Sequence, residues 1–199
     1  AVASTGYNSP TWTKSSGTGS LSVSAGKATL SAIQSNCTLV ASATINSYTI
    51  SYTKNANIAS ISKTSETVNY GGTATCTAAL PANTVQYAYT FDGWYDGSTK
   101  VGSDLALSVA GIISNRTFTA IGNRTLNRYT LVITVTPTGA GTTVGQGTYN
   151  YGSSVQATAT PATGYNFTKW VLDTGDERTA NPLTGININR NRTVQAVFT

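Results

Sequence analysis

Seven acids, Glu66, Asp92, Asp96, Asp104, Asp173, Asp176 and Glu177, are all the carboxylate side chains in a chain of 199 residues without a histidine. Asp92 and Asp96 flank Trp94, and two carboxylates about 5 to 10 Å apart are what acid/base cleavage of a glycosidic bond requires. Asp92 aligns with Thr168 of an internal repeat set out below, which places it on the outward side of a core strand and argues against catalysis. Asp173, Asp176 and Glu177 crowd into one turn but lack the spacing of a calcium loop, so they read as solvated. Without imidazole there is no Ser-His-Asp triad and no Cys-His dyad, and two cysteines alone make no ordinary zinc cluster. The expectation is a protein with no catalytic residues, no metal site and no cofactor. Arg116, Arg124, Arg128, Arg190 and Arg192 give the strongest local positive charge in a chain of net charge +5. Such cations can neutralise phosphate, yet they are sparse and the aromatics recur at core spacing. Attraction to anionic glycans or acidic subunits fits better than nucleic acid.

The background to these residues is polar but uncharged: 10% of residues are charged, 39% are hydrophobic, and Ser, Thr, Asn and Gly fill much of the rest. That mixture disfavours helices and favours strands and turns, so the fold class is all-β. Eleven Tyr and three Trp are enough to build a core. With no Met in the chain, Ala1 reads as a processed or trimmed end. No apolar run approaches the ~20 residues of a membrane helix. Cys37 and Cys76 are either a disulfide or two reduced thiols; the disulfide is the expectation, closing a loop of roughly 40 residues and contributing about 3 to 4 kcal/mol. Asn36, Asn115, Asn123, Asn166 and Asn191 each begin an Asn-x-Ser/Thr triplet and are glycosylation candidates. Together these features point to an extracellular or cell-surface protein, with a virion as the alternative.

The elements that must position these residues recur. Ser47-Tyr48-Thr49-Ile50 returns as Arg128-Tyr129-Thr130-Leu131, and Val68-Asn69-Tyr70-Gly71 as Tyr149-Asn150-Tyr151-Gly152, each 81 positions on. Tyr89-Thr90-Phe91-Asp92-Gly93-Trp94 returns as Tyr165-Asn166-Phe167-Thr168-Lys169-Trp170, and Asn115-Arg116-Thr117 as Asn191-Arg192-Thr193, each 76 positions on. A five-residue insertion near Pro81 to Ala88 of the first copy reconciles the two offsets. The chain therefore divides into a first module, 44–122, a second, 123–199, and a non-repeating segment, 1–43. Alternating apolar and polar residues predict half-buried antiparallel strands. The expected core of the second module is Tyr129, Leu131, Ile133, Val155, Tyr165, Phe167, Trp170 and Val197. Its counterpart in the first is Tyr48, Ile50, Tyr52, Ala74, Tyr89, Phe91, Trp94 and Ile121.

The run YTLVITVTPTGAGTTVGQGTYNYGSSVQATATPATGYNFTKW, followed by NPLTGININRNRTVQAVFT, resembles the bacterial repeat domain related to the internalin B-type, or Listeria–Bacteroides, repeat. The first copy keeps VNYGGTAT, YTFDGW and NRTFTAI but departs at the insertion. The resemblance implies a small β-grasp-like or sandwich-like module, strung in tandem in secreted and surface proteins, with no catalytic residue to carry over.

Residues 1–43 are too few for an independent core. Low charge and three short β-like pieces, Leu21-Ser22-Val23, Ala28-Thr29-Leu30 and Thr38-Leu39-Val40, make an extended, strand-donating segment the expectation. Tyr7 and Trp12 are its candidate assembly anchors; Trp12, Tyr95 and Tyr149 are candidate sugar-stacking residues. The functional expectation is a non-catalytic extracellular structural protein: a subunit of a surface filament, pilus-like appendage or adhesive stalk, partnered by copies of itself or other surface subunits. The alternative is a receptor- or glycan-binding module of a bacterial adhesin or phage virion fibre.

Overall fold

A chain rich in Thr, Ser, Asn and Gly loses little by avoiding helices, because these side chains compete with helical backbone hydrogen bonds or leave it unsupported. The computed structural model describes residues 1–199 and contains strands and no helix. It divides into two units: Ala1–Leu80 with Phe91–Gly122, and Pro81–Thr90 with Asn123–Thr199.

In the first unit, β1 (Thr11–Ser16), β2 (Ser20–Ser24), β3 (Lys27–Ser31) and β4 (Thr38–Ser42) precede the repeat. The repeat itself runs through β5 (Ser47–Lys54), β6 (Ser60–Ile61), β7 (Ser65–Asn69), β8 (Ala74–Ala79), β9 (Tyr87–Asp96), β10 (Thr99–Gly102), β11 (Ala106–Val109) and β12 (Arg116–Leu126). A five-stranded sheet in the order β10-β9-β12-β5-β7 accompanies a three-stranded sheet, β11-β8-β6. Both contribute to one core: Ile50, Tyr52, Trp94, Phe118 and Ala120 from the larger sheet, with Ala74, Cys76, Ala78 and Leu107 from the smaller. Two sheets burying their inner faces against each other make a sandwich.

The second unit repeats this plan with β13 (Arg128–Thr136), β14 (Gly141–Val144), β15 (Gly147–Asn150), β16 (Ser153–Pro161), β17 (Phe167–Leu172), β18 (Glu177–Arg178), β19 (Leu183–Ile188) and β20 (Arg192–Phe198). Its sheets are ordered β15-β13-β20-β17-β18 and β14-β16-β19, the same arrangement strand for strand. In each copy the first and last strands pair in parallel, Ile50 beside Arg116 and Leu131 beside Arg192. Residues 81–90, which carry the insertion, cluster with the second unit. Asn127 Nδ2 donates to the carbonyls of Thr84 at 2.7 Å and Val85 at 3.2 Å, and the Tyr129 hydroxyl donates to Val85 O at 2.7 Å.

Trp94 and Trp170 are wholly enclosed, and Ile50, Tyr52, Ala74, Leu131, Ile133 and Val155 are buried beside them. Tyr48, Phe91, Tyr129 and Phe167 are partly buried against the same cores. Four core expectations need correction, two of them for one reason; the first is Tyr89, which is half-buried, packs outside the first core and clusters with the second unit. On β12 the buried residues are Phe118, Ala120 and Gly122, with Ile121 half-buried; on β20 they are Val194, Ala196 and Phe198, with Val197 half-buried. A strand alternates faces at every residue, so a one-residue misreading exchanges the whole set. Tyr165 lies before β17 and is exposed.

Candidate assembly interface

The segment before the repeat is not one extended strand. β1 and β4 form an antiparallel ribbon with Trp12 opposite Ala41, and β2 and β3 form a hairpin with Ser24 opposite Lys27. The hairpin closes through Ala25 and Gly26, both at positive φ (46° and 76°), the twist that two-residue hairpin loops require. Trp12 Nε1 donates to Gly26 O at 3.0 Å, and Lys14 Nζ donates to the carbonyls of Gly17 and Gly19 at 2.9 and 2.6 Å. Trp12 is thus committed within the segment and half-buried there.

Residues 6–8 lie antiparallel to residues 44–46. Tyr7 bridges to Ile45, Asn46 N donates to Gly6 O at 2.8 Å, and Asn8 N donates to Thr44 O at 2.9 Å. Gly6, at φ +85°, rests on the Tyr70 ring; a Cβ there would stand 2.3 Å from Tyr70 Cδ1. Despite four strands, no residue before Ile50 is buried. Val2, Tyr7, Val23, Ile33, Val40 and Ile45 are exposed large hydrophobic side chains. Two-stranded ribbons with this little enclosed surface are marginal alone, and their outer edges keep unpaired backbone groups.

The expected Cys37–Cys76 bridge is absent, and both thiols are free. Cys76 points from β8 into the first core beside Ser62 Oγ (3.5 Å), whereas Cys37 Sγ is satisfied by the carbonyls of Thr18 and Ser35 at 3.3 and 3.4 Å. Each sulfur is held in its own local network.

The five glycosylation candidates are all exposed, but Asn115 and Asn191 also have a structural task. Asn115 Oδ1 accepts from Thr49 N, and Asn191 Oδ1 from Thr130 N, both at 2.9 Å. The repeated Asn therefore clamps the first strand of its copy to the start of the last. The Arg that follows pairs with an acid: Arg116 with Asp96, and Arg192 Nε with Asp173 Oδ1 at 2.8 Å, with Arg190 also reaching Asp173 at 3.2 Å. Burial presses Asp173 toward neutrality, but the two guanidinium groups outweigh it and hold its carboxyl below the usual range. Arg124 lies over the Tyr87 ring at 4.7 Å and Arg128 donates to Thr148 O at 3.1 Å. All five singled-out arginines are engaged in this way, which leaves no unpartnered cationic stripe among them.

Asp92 accepts from the Tyr95 hydroxyl at 2.7 Å and has Lys100 at 3.7 Å. With Asp96 taken by Arg116, both carboxylates that flank Trp94 are paired with neighbours. Asp176 pairs with Arg178 and Glu177 with Lys169; no group of three or more Cys, Asp or Glu gathers as a metal site would need. Of the proposed stacking residues, Tyr95 is tied to Asp92, and the Tyr149 hydroxyl donates to Gly145 O at 2.8 Å.

One polar cluster was not anticipated. Glu66 accepts from the Tyr52 hydroxyl, from Lys63 Nζ at 2.6 Å and from Thr75 N at 2.9 Å. Burial alone would raise the Glu66 pKa, but Lys63, Tyr52 and the Thr75 amide hold it below the ordinary range. Burial, then the bond to Glu66, pushes the Tyr52 hydroxyl well above its ordinary value. The signal was in the repeat: the second copy has Ile133, Gly147 and Ala157 where the first has Tyr52, Glu66 and Cys76.

The duplicated sandwich, with its interior given to packing and its polar side chains to clamps and ion pairs, defines a class of tandem β-repeat modules. Residues 48–121 match the Listeria-Bacteroides repeat domain, and residues 131–199 the divergent InlB B-repeat domain. The chain therefore carries two tandem repeat domains of these families, which are generally surface-associated and typically non-catalytic in bacterial proteins. No curated protein and no solved structure matches it. No helix is long and apolar enough to cross a membrane.

Proposed function

We propose that this chain is a structural subunit of an extracellular filament, pilus-like appendage or adhesive stalk, with no enzymatic step, and that its copies join through residues 1–43. The observation that carries this reading is a segment of four ordered strands without one buried residue, displaying exposed Val23 and Val40 beside unpaired strand edges. Ribbons of this kind gain backbone hydrogen bonds and apolar burial when a neighbouring sheet edge is added. A second copy suits the charge pattern: the segment carries Lys14 and Lys27 and no acid, since all seven acids lie from Glu66 onward. A head-to-tail contact of this type propagates into a filament when it does not close on itself. Negative-stain images of protein isolated in its native state should show filaments or linear oligomers. Uniformly monomeric particles at high concentration would remove the assembly reading. The second reading, a glycan-binding module of an adhesin or virion fibre, is favoured by a polar groove in the first unit.

A further inference from the structure

We propose that the groove at the β9–β10 turn binds a neutral, hydroxyl-rich saccharide, an inference that deepens the second reading and does not depend on assembly. The groove, about 600 Å³, is lined by Thr49, Ser51, Asp96, Ser114, Asn115 and Arg116, with Gly97 at the turn. Its volume falls in the range of roughly 300 to 1,000 Å³ common for ligand sites, and its lining has no large apolar side chain to hold a hydrocarbon.

The polar groups are only partly used by the unit itself. Arg116 gives Nε and Nη2 to Asp96 Oδ2, leaving Asp96 Oδ1 and Arg116 Nη1 without a partner in the unit. Asn115 spends Oδ1 on Thr49 N and leaves Nδ2 free in the same sense. One carboxylate acceptor, one amide donor and one guanidinium donor therefore belong to residues that line the groove, beside Ser and Thr hydroxyls. Vicinal hydroxyls both donate and accept, so a sugar diol satisfies this array. Asp96 opposes an anionic ligand, and Arg116 opposes a cation.

The second repeat provides an internal contrast. There Arg190 stands where the first repeat has Ser114, 76 positions earlier, and it joins Arg192 on Asp173 so that both carboxylate oxygens are occupied. By the same offset Asp173 stands at Gly97, one position beyond Asp96; Ser114 leaves Asp96 Oδ1 open, whereas Arg190 fills the second oxygen of Asp173.

The test is an NMR titration of the intact chain with chitotriose, cellotriose and mannotriose, beside the variants Ser114→Arg and Arg190→Ser. At least one sugar should shift the Gly97 amide and the Asn115 side-chain amide saturably. Ser114→Arg should weaken that response by roughly tenfold or more, about 1.4 kcal/mol, without lowering the melting temperature, because the other repeat already tolerates arginine there. Sugar binding that survives Ser114→Arg undiminished would overturn this groove while leaving a glycan-binding module in place. No response to any of the three sugars at millimolar concentration would overturn the groove and remove the support it lends to the second reading. An Asn115 found glycosylated by intact-mass and peptide analysis would also overturn it, since its Nδ2 would be consumed.

Discussion

Trp94 and Trp170 occupy the same place in two copies of one fold but differ in a single hydrogen bond. Trp94 Nε1 donates to Leu105 O at 3.1 Å, whereas Trp170 Nε1 is buried without a partner. An unsatisfied buried donor costs about 1 to 3 kcal/mol. Trp94→Phe should therefore destabilise its unit by more than Trp170→Phe destabilises the other, by on the order of 1 kcal/mol or more in denaturant melts; equal losses would mean that the indole nitrogens are equivalent. The cysteines make a second residue-level prediction. Non-reducing peptide mapping should find no Cys37–Cys76 link, with Cys37 alkylated in the native state and buried Cys76 only on unfolding. Sequence could supply two cysteines and a plausible loop length, but not the separate networks that hold each sulfur. Glu66 and Tyr52 give a third. A carboxylate whose folded pKa is depressed adds stability above its ordinary pKa, here 4.5, which is lost as pH falls through the folded value. A tyrosine whose folded pKa is raised adds stability below its ordinary pKa, here 10.0, which is lost as pH rises beyond it. Glu66→Gln should flatten the acid limb of the first unit's stability curve, and Tyr52→Phe the alkaline limb; unchanged limbs would show that the pair does not govern them.

Among the elements, the repeating strands were legible because aromatic and apolar residues return at fixed offsets, and the order of strands is the same in both copies. Which face the closing strands bury was less legible. Ile121 and Val197 look like core residues by type, yet Phe118, Ala120, Val194, Ala196 and Phe198 fill the core by parity. The N-terminal ribbons were hidden for another reason: their hairpin turn uses Ala25 at φ 46°, where Asn-Gly would have announced a turn. The polar groove was invisible too, since its meaning lies in the substitution of Ser114 for Arg190 within a frame known only once folded. Two tests belong to this scale. Gly6→Ala combines positive φ with a clash on Tyr70, so hydrogen exchange over residues 1–10 should accelerate while both repeats melt as before; unchanged exchange would contradict the docking of this segment. Asn127→Ala removes two hydrogen bonds to Thr84 and Val85, a loss of roughly 1 to 2 kcal/mol, and should speed exchange locally over residues 84–87.

In the whole molecule, two finished sandwiches carry an N-terminal segment that encloses no core of its own, and under the proposed assembly another copy completes it. The repeats enclose their own cores, while the segment before Ile50 encloses none, so assembly should be separable from folding. Val23 and Val40 are 48% and 45% exposed, and glutamate at both positions adds charge without opening a core. Sedimentation velocity of the intact chain beside the Val23→Glu/Val40→Glu variant separates the two. The prediction is concentration-dependent oligomers for the intact chain and monomers for the variant, with matching circular dichroism and melting. Equal assembly of the two proteins, or a monomeric intact chain at every concentration, would contradict it.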